Sequence, residues 1–166
     1  MGLTALSIGS NSGERRRNIL TAVGLLEKEF GELKKSPVYE TAPFYESQEG
    51  QENFLNCCVS FQTEISPKEI LKKTQAVENK MGRERPYPNA PRVIDIDIVF
   101  AGDEIIADEK LTLPHPAMQE RLFVLKPLSD IMGSFEHPAI GLSVSDLLFE
   151  CPDESVVVKI KNFWEG

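Results

Sequence analysis

The chain has 166 residues, 41% of them hydrophobic, which is enough for one domain with a sizeable core and too little for two ordinary ones, so residues 1–166 read as a single domain. A net charge of −8 argues against a nucleic-acid partner, which needs a cationic surface. Of the three cysteines, Cys57 and Cys58 are adjacent and Cys151 is remote; they form neither a zinc-ligand pattern nor an even disulfide set, and fit buried free thiols in a reducing compartment.

Residues 1–13 lack the charged start, apolar stretch and small-residue cleavage site of a leader, and no segment approaches a membrane span, so the chain reads as cytoplasmic. Leu3 to Ile8 reads as a buried strand closed by the turn Gly9-Ser10-Asn11-Ser12-Gly13. Ile19, Leu20, Val23, Leu26 and Phe30 then recur at helical spacing, with Gly31 as the C-cap. Leu33 to Glu40 reads as a second strand, Thr41 to Glu52 as a long exposed loop, and Phe54 to Thr63 as a third strand. Ser66 at an N-cap and Pro67 at the first helical position open a helix lined by Ile70, Leu71, Thr74, Val77 and Met81, which Gly82 ends. The charged, proline-rich stretch Arg83 to Pro91 reads as a loop.

The next segment, Arg92-Val93-Ile94-Asp95-Ile96-Asp97-Ile98-Val99-Phe100, places two carboxylates two residues apart in a strongly β-forming run. In a strand both point to one face while Ile94, Ile96 and Ile98 point to the other. Alternation of this kind also describes a solvated sheet face. Yet neighbouring ionised carboxylates repel and resist desolvation, and a divalent cation such as Mg2+ relieves both effects. Arg83, Arg85 and Arg92 lie just before the pair, a local cationic patch in an acidic chain that suits a small polyanion.

The order to this point is β-α-β-β-α-β, the signature of an α+β ferredoxin-like sandwich with an antiparallel sheet, in which two helices cover one face and leave the other for a ligand. C-terminal additions follow: Pro114-His115-Pro116, a helix from Pro116 to Arg121, an apolar run from Leu122 to Leu128, a short helix near Val144 to Phe149 and a closing strand from Val156 to Ile160.

Several of these pieces, in order, resemble one family. Ile8-Gly9-Ser10-Asn11, Phe54-Leu55-Asn56, Gln75-Ala76-Val77-Glu78, Gly82-Arg83, the run from Pro91 to Ile98, Pro114-His115-Pro116 and Arg121-Leu122-Phe123-Val124-Leu125 are similar to 6-hydroxymethyl-7,8-dihydropterin pyrophosphokinases of folate biosynthesis. The resemblance implies an enzyme that moves a diphosphate from ATP to a pterin alcohol, by in-line attack of the hydroxymethyl oxygen on the β-phosphorus, with AMP leaving. It implies two Mg2+ ions held by Asp95 and Asp97, with Arg83 and Arg92 on the phosphates as catalytic partners. Arg85, Arg121, His115, Lys110, Thr112, Ile98, Gln75 and Glu78 match ATP-side positions. Phe54 and Phe123 match the pair that sandwiches the pterin ring, Asn56 its polar edge, and Thr41, Ala42, Pro43 and Phe44 the surrounding loop. Ser10-Asn11 reads as turn chemistry shaping the floor. One departure is Asn89, where the family often has tryptophan; Tyr87 is the nearest aromatic replacement.

The expected partners are therefore small molecules, with no nucleic acid or membrane, and the chain is expected to act as a monomer. Two other classes fit parts of the pattern: a ferredoxin-like module that binds a small ligand without chemistry, and a metal-dependent nucleotidyltransferase. The first needs no acid pair beside arginines. In the second a Gly-Ser turn lies close to its acids in sequence, whereas Ser10 and Asp95 are separated by two strands and two helices.

Overall fold

A single long strand, β1 (Gly2–Ser10), organises the molecule because its alternate residues serve two different cores. The computed structural model describes residues 2–43, 50–82 and 86–165. The elements after β1 are α1 (Arg15–Phe30), β2 (Lys34–Lys35), β3 (Tyr39–Thr41), β4 (Phe54–Thr63), α2 (Pro67–Lys80), β5 (Asp95–Ala101), β6 (Ile106–Ala107), β7 (Thr112–Leu113), α3 (Leu122–Met132), α4 (Val144–Glu150) and β8 (Val157–Lys159). The main sheet runs β5-β1-β4-β3-β8, with β2 also on β4, and every pairing is antiparallel.

Leu6, Ile8, Leu55, Cys57, Ile96 and Ile98 point from the sheet into one apolar core with Ile19, Val23 and Leu26 of α1 and Ile70 and Val77 of α2. Helix α2 starts as its sequence dictates: Ser66 accepts a hydrogen bond from the Glu69 N–H, and Pro67 occupies the first turn. Helix α1 stops at Gly31, whose φ of 85° lies in the left-handed region that glycine adopts freely.

Four expectations are corrected. The strand expected over Leu33 to Glu40 is two short pieces, because Pro37 removes a ladder donor and Ser36 turns inward, its hydroxyl accepting from the Cys58 N–H. Strand β1 continues through Gly9 and Ser10, which pair with Asn56 and Leu55, so the turn begins later than expected. The helix expected over Pro116 to Arg121 is only a 3-10 turn at Met118–Glu120, and the apolar run after it is the helix α3. Helix α3 also means that the second sheet face is not left open: Val124, Leu125 and Leu128 pack with Ala5, Cys58, Val99 and Phe100 in a second core.

Strand β5 carries a bulge. Ile98 is opposite Leu6 and Phe100 opposite Ala5, so Val99 is an extra residue. It lets both Val99 and Phe100 join the α3 core while Ala101 returns to the other one. The Val99 carbonyl accepts from the His115 N–H, which hooks the 114–121 segment onto the strand. Among the described residues, no helix is long and apolar enough to cross a membrane.

Candidate functional site

On the α3 side of the sheet, the strand register sets polar residues beside one another. Gly9 pairs with Asn56 on one flank and Asp95 on the other, and Ser7 pairs with Cys58 and Asp97. Where α3 leaves this floor uncovered there is a cleft, lined by Ser7, Gly9, Thr41, Ala42, Phe54, Asn56, Arg92, Asp95, Asp97, Arg121 and Phe123. The middle of its floor must be small: a Cβ on Gly9 would lie 2.8 Å from Asn56 Oδ1 and 3.5 Å from the Phe54 ring.

One end of the cleft is charged. Arg92 Nη1 donates to Asp95 Oδ2 at 2.9 Å, while Arg92 Nε is buried with no partner among the described residues. Burial raises the Asp97 carboxyl to about 7, Asp95 and then Glu78 add repulsion, and Arg121 and Arg92 pull in the opposite direction. Among the described residues no three His, Cys, Asp or Glu side chains form a ready cage for a metal ion. Two neighbouring carboxylates are instead the donor set for a cation that takes its remaining oxygens from phosphate and water, as Mg2+ does.

The other end is flat and mostly apolar. Phe54 and Phe123 line it, and Asn56, 4% exposed, donates from Nδ2 to Thr41 Oγ1 at 2.8 Å. That bond fixes the amide and leaves Oδ1 as an acceptor at the slot. The Arg121 guanidinium lies 5.8 Å from the Phe123 ring centroid, linking the charged and flat ends.

The remaining candidates are dispersed. Ile98 is buried beneath α1 and α2, so any contact it makes with a nucleotide is through its backbone. Glu78 accepts from the Ile96 N–H at 2.9 Å and braces the acidic strand. Gln75 and Lys110 line a separate groove between α2 and residues 108–111, and Thr112 is exposed on β7. Burial lowers the His115 imidazole to about 4, followed by the Arg121 charge, and its Nδ1 accepts from the Ala117 N–H. Pro43 is half-buried beside Ala42 and does not line the cleft. Phe44, Arg83 and Arg85 lie outside the described residues. Tyr87 is 55% exposed and is not among the residues that line the cleft.

Asn11 does more than shape a turn. Its Oδ1 accepts from the Arg92 N–H at 2.7 Å, and its own N–H donates to the Arg92 carbonyl at 2.9 Å. Its Nδ2 donates to Gln51 Oε1, and Gln51 Nε2 donates to the Asn89 carbonyl. Asn89 has φ 59°, a left-handed conformation that asparagine tolerates better than tryptophan. Nothing in local spacing announces this, since Asn11 and Arg92 are 81 residues apart. Ser7 and Gly9 did leave a signal: they alternate with Leu6 and Ile8 as a strand with one small, polar face would.

Residues 5–133 match the family model described as 7,8-dihydro-6-hydroxymethylpterin-pyrophosphokinase (HPPK). The Bacillus subtilis (strain 168) 2-amino-4-hydroxy-6-hydroxymethyldihydropteridine pyrophosphokinase is 41% identical over 136 residues, covering 81% of this chain and 80% of the relative. The Folic acid synthesis protein FOL1 of Dictyostelium discoideum is 40% identical over 148 residues, which is 89% of this chain but 22% of that longer protein. A crystal structure of wild-type Plasmodium falciparum HPPK-DHPS with pteroate superposes with a TM-score of 0.71 at 18% identity, covering 89% of this chain and 42% of that one, a likeness of fold. Matched across more than half its length, the chain belongs to the 7,8-dihydro-6-hydroxymethylpterin-pyrophosphokinase family.

Proposed function

We propose that this chain transfers a diphosphate from ATP to the hydroxymethyl group of 6-hydroxymethyl-7,8-dihydropterin, giving AMP and the pterin diphosphate in folate biosynthesis. The observation that carries this reading is a single cleft with an acid pair and a flat slot on opposite sides of Gly9. Asp95 and Asp97 would hold two Mg2+ ions, which when bound offset charge on the phosphate oxygens. Arg92, fixed at its backbone by Asn11, has a buried Nε to offer a phosphate, and Arg121 stands at the junction of the two ends. Phe54 and Phe123 would sandwich the ring, and Asn56 would read its edge. Arg83 and Arg85 are proposed as further phosphate contacts, and Gln75, Lys110, Thr112 and His115 as contacts to the rest of the nucleotide.

The ferredoxin-like description is supported by the order β5-β1-β4-β3 with α1 and α2 on one face. A single domain acting as a monomer in the cytoplasm completes the reading. The test is direct: ATP, Mg2+ and 6-hydroxymethyl-7,8-dihydropterin should yield AMP and pterin diphosphate in equal amounts. Formation of ADP, release of free pyrophosphate, or no turnover by folded protein overturns it.

A further inference from the structure

The flat slot has two walls that belong to different parts of the fold. Phe54, which opens β4, stands beside its strand partner Thr41 at the end of β3, and Phe123 stands in the first turn of α3. Away from the cleft, the same strand and helix are joined by a half-buried pair, a buried tyrosine and an exposed aspartate: the Tyr39 hydroxyl donates to Asp130 Oδ2. Tyr39 is 1% exposed and precedes Thr41 by two residues, so both project from the same face of β3. Asp130 follows Phe123 by seven residues, close to two helical turns, so both project from the same side of α3. Tyr39 also pairs in register with Asn56, whose amide is bonded to Thr41. The tie and the walls thus share one strand ladder and one helix, and a change in the length of the tie alters the separation of the walls.

The Tyr39 ring is part of the packed interior, but its hydroxyl bond is not what seats α3, since Val124, Leu125 and Leu128 already pack the helix on the sheet. Two further bonds fix the first turn of α3, from Cys58 Sγ to the Val124 carbonyl and from the Leu122 N–H to Asp153 Oδ2. These set where the helix starts. Neither sets its distance from β3.

Resting on the pterin reading above, we infer that Tyr39 and Asp130 are a positioning pair that holds the wall of Phe54 and Thr41 and the wall of Phe123 one flat ring apart, making the slot selective for planar bicycles. Burial keeps the phenol protonated, first by desolvation and then by its bond to Asp130, so it remains the donor.

The experiment compares Tyr39→Phe, Asp130→Ala and Asp130→Asn with the wild-type protein. Affinities are measured for 6-hydroxymethyl-7,8-dihydropterin, for the fully oxidised flat pterin, for the puckered tetrahydropterin and for ATP. Loss of the bond in Tyr39→Phe or Asp130→Ala is expected to weaken the dihydropterin by about five- to tenfold and to leave ATP unchanged. The preference for the flat ring over the puckered one should fall by a similar factor. Asp130→Asn keeps an acceptor oxygen and should restore both, and the double variant should be no worse than either single one. An unchanged flat-to-puckered ratio accompanied by a lower melting temperature would mean a purely structural tie and overturn the inference, as would equal losses for ATP and pterin. If wild-type protein binds none of the pterins, the proposed function fails and this inference fails with it.

Discussion

The two faces of the sheet are made from the same strands and obey different rules. On the α1 and α2 face, Leu6, Ile8, Ile96 and Ile98 belong to one apolar core, and tight packing is what their side chains contribute. On the α3 face the residues between them, Ser7, Gly9, Asp95 and Asp97, sit in an arrangement that raises the energy of the empty protein by crowding carboxylates. One face stores stability, and the other keeps two neighbouring carboxylates beside a flat slot at a cost. Substitutions one residue apart on β1 or β5 should therefore have opposite consequences.

The largest expected effect is Asp97→Ala. Losing a carboxylate at the charged end should lower AMP formation by about a thousandfold, while the melting temperature stays level or rises because like-charge repulsion is relieved. A parallel loss of stability would break the contrast. The residue that follows Ser7, the strand partner of Asp97, predicts the reverse: Ile8→Ala, at a fully buried site, should cost about 2–5 kcal/mol in denaturant unfolding, with turnover per folded molecule near wild type. Gly9→Ala, one residue further, should return the effect to the site. The added methyl meets Asn56 Oδ1, and pterin affinity should fall about tenfold, in line with the 1–3 kcal/mol typical of overpacking.

Acid sharpens the comparison. The two histidines lie on the α3 side: His115 is bonded to Val99, and His137 packs edge-on against Phe100. Each uses Nδ1 to accept backbone N–H groups, and burial lowers both pKa values, that of His115 to about 4. A lowered folded-state value means that their contribution is fully present above the unfolded value of about 6.5 and is lost as the pH falls below it. For His115 this should amount to about 1 kcal/mol after allowing for its partial exposure, and His115→Asn should flatten the stability profile between pH 7.5 and 4.5. Amide exchange in acid should rise near residues 115–121 and 135–143 before it rises in α1 and α2. Smallest of all, breaking Lys73–Glu29 between α1 and α2 should change stability by no more than about 0.5 kcal/mol in a double-mutant cycle.

What was legible in the sequence follows the same division. The bounds of β4, the Ser66-Pro67 start of α2, the Gly31 end of α1 and the shared face of Asp95 and Asp97 are local patterns, and the structure matches them. The split between β2 and β3 needed Pro37 to be weighed against a favourable strand run. The apolar run after Leu122 has no period that separates helix from strand until its partners are known. The reach of Asn11 to Arg92 and of Tyr39 to Asp130 crosses about half of the chain, and no spacing rule encodes such a pair. Gln75 and Lys110 fall beyond the acids in a second groove because α2 turns that part of its surface away from the cleft.

The extra residue at Val99 acts as an anchor point. Lengthening the turn of residues 108–111 would only enlarge the loop between β6 and β7. Deleting Val99 would restore plain alternation to β5 and leave Phe100 opposite Ala5 on the α3 face, but it would take one apolar side chain out of the second core and remove the carbonyl that holds the His115 segment. The acids and Phe100 would keep their places while the segment downstream of them lost its attachment. One residue more than plain alternation needs thus gives the C-terminal third a point of attachment on the acidic strand.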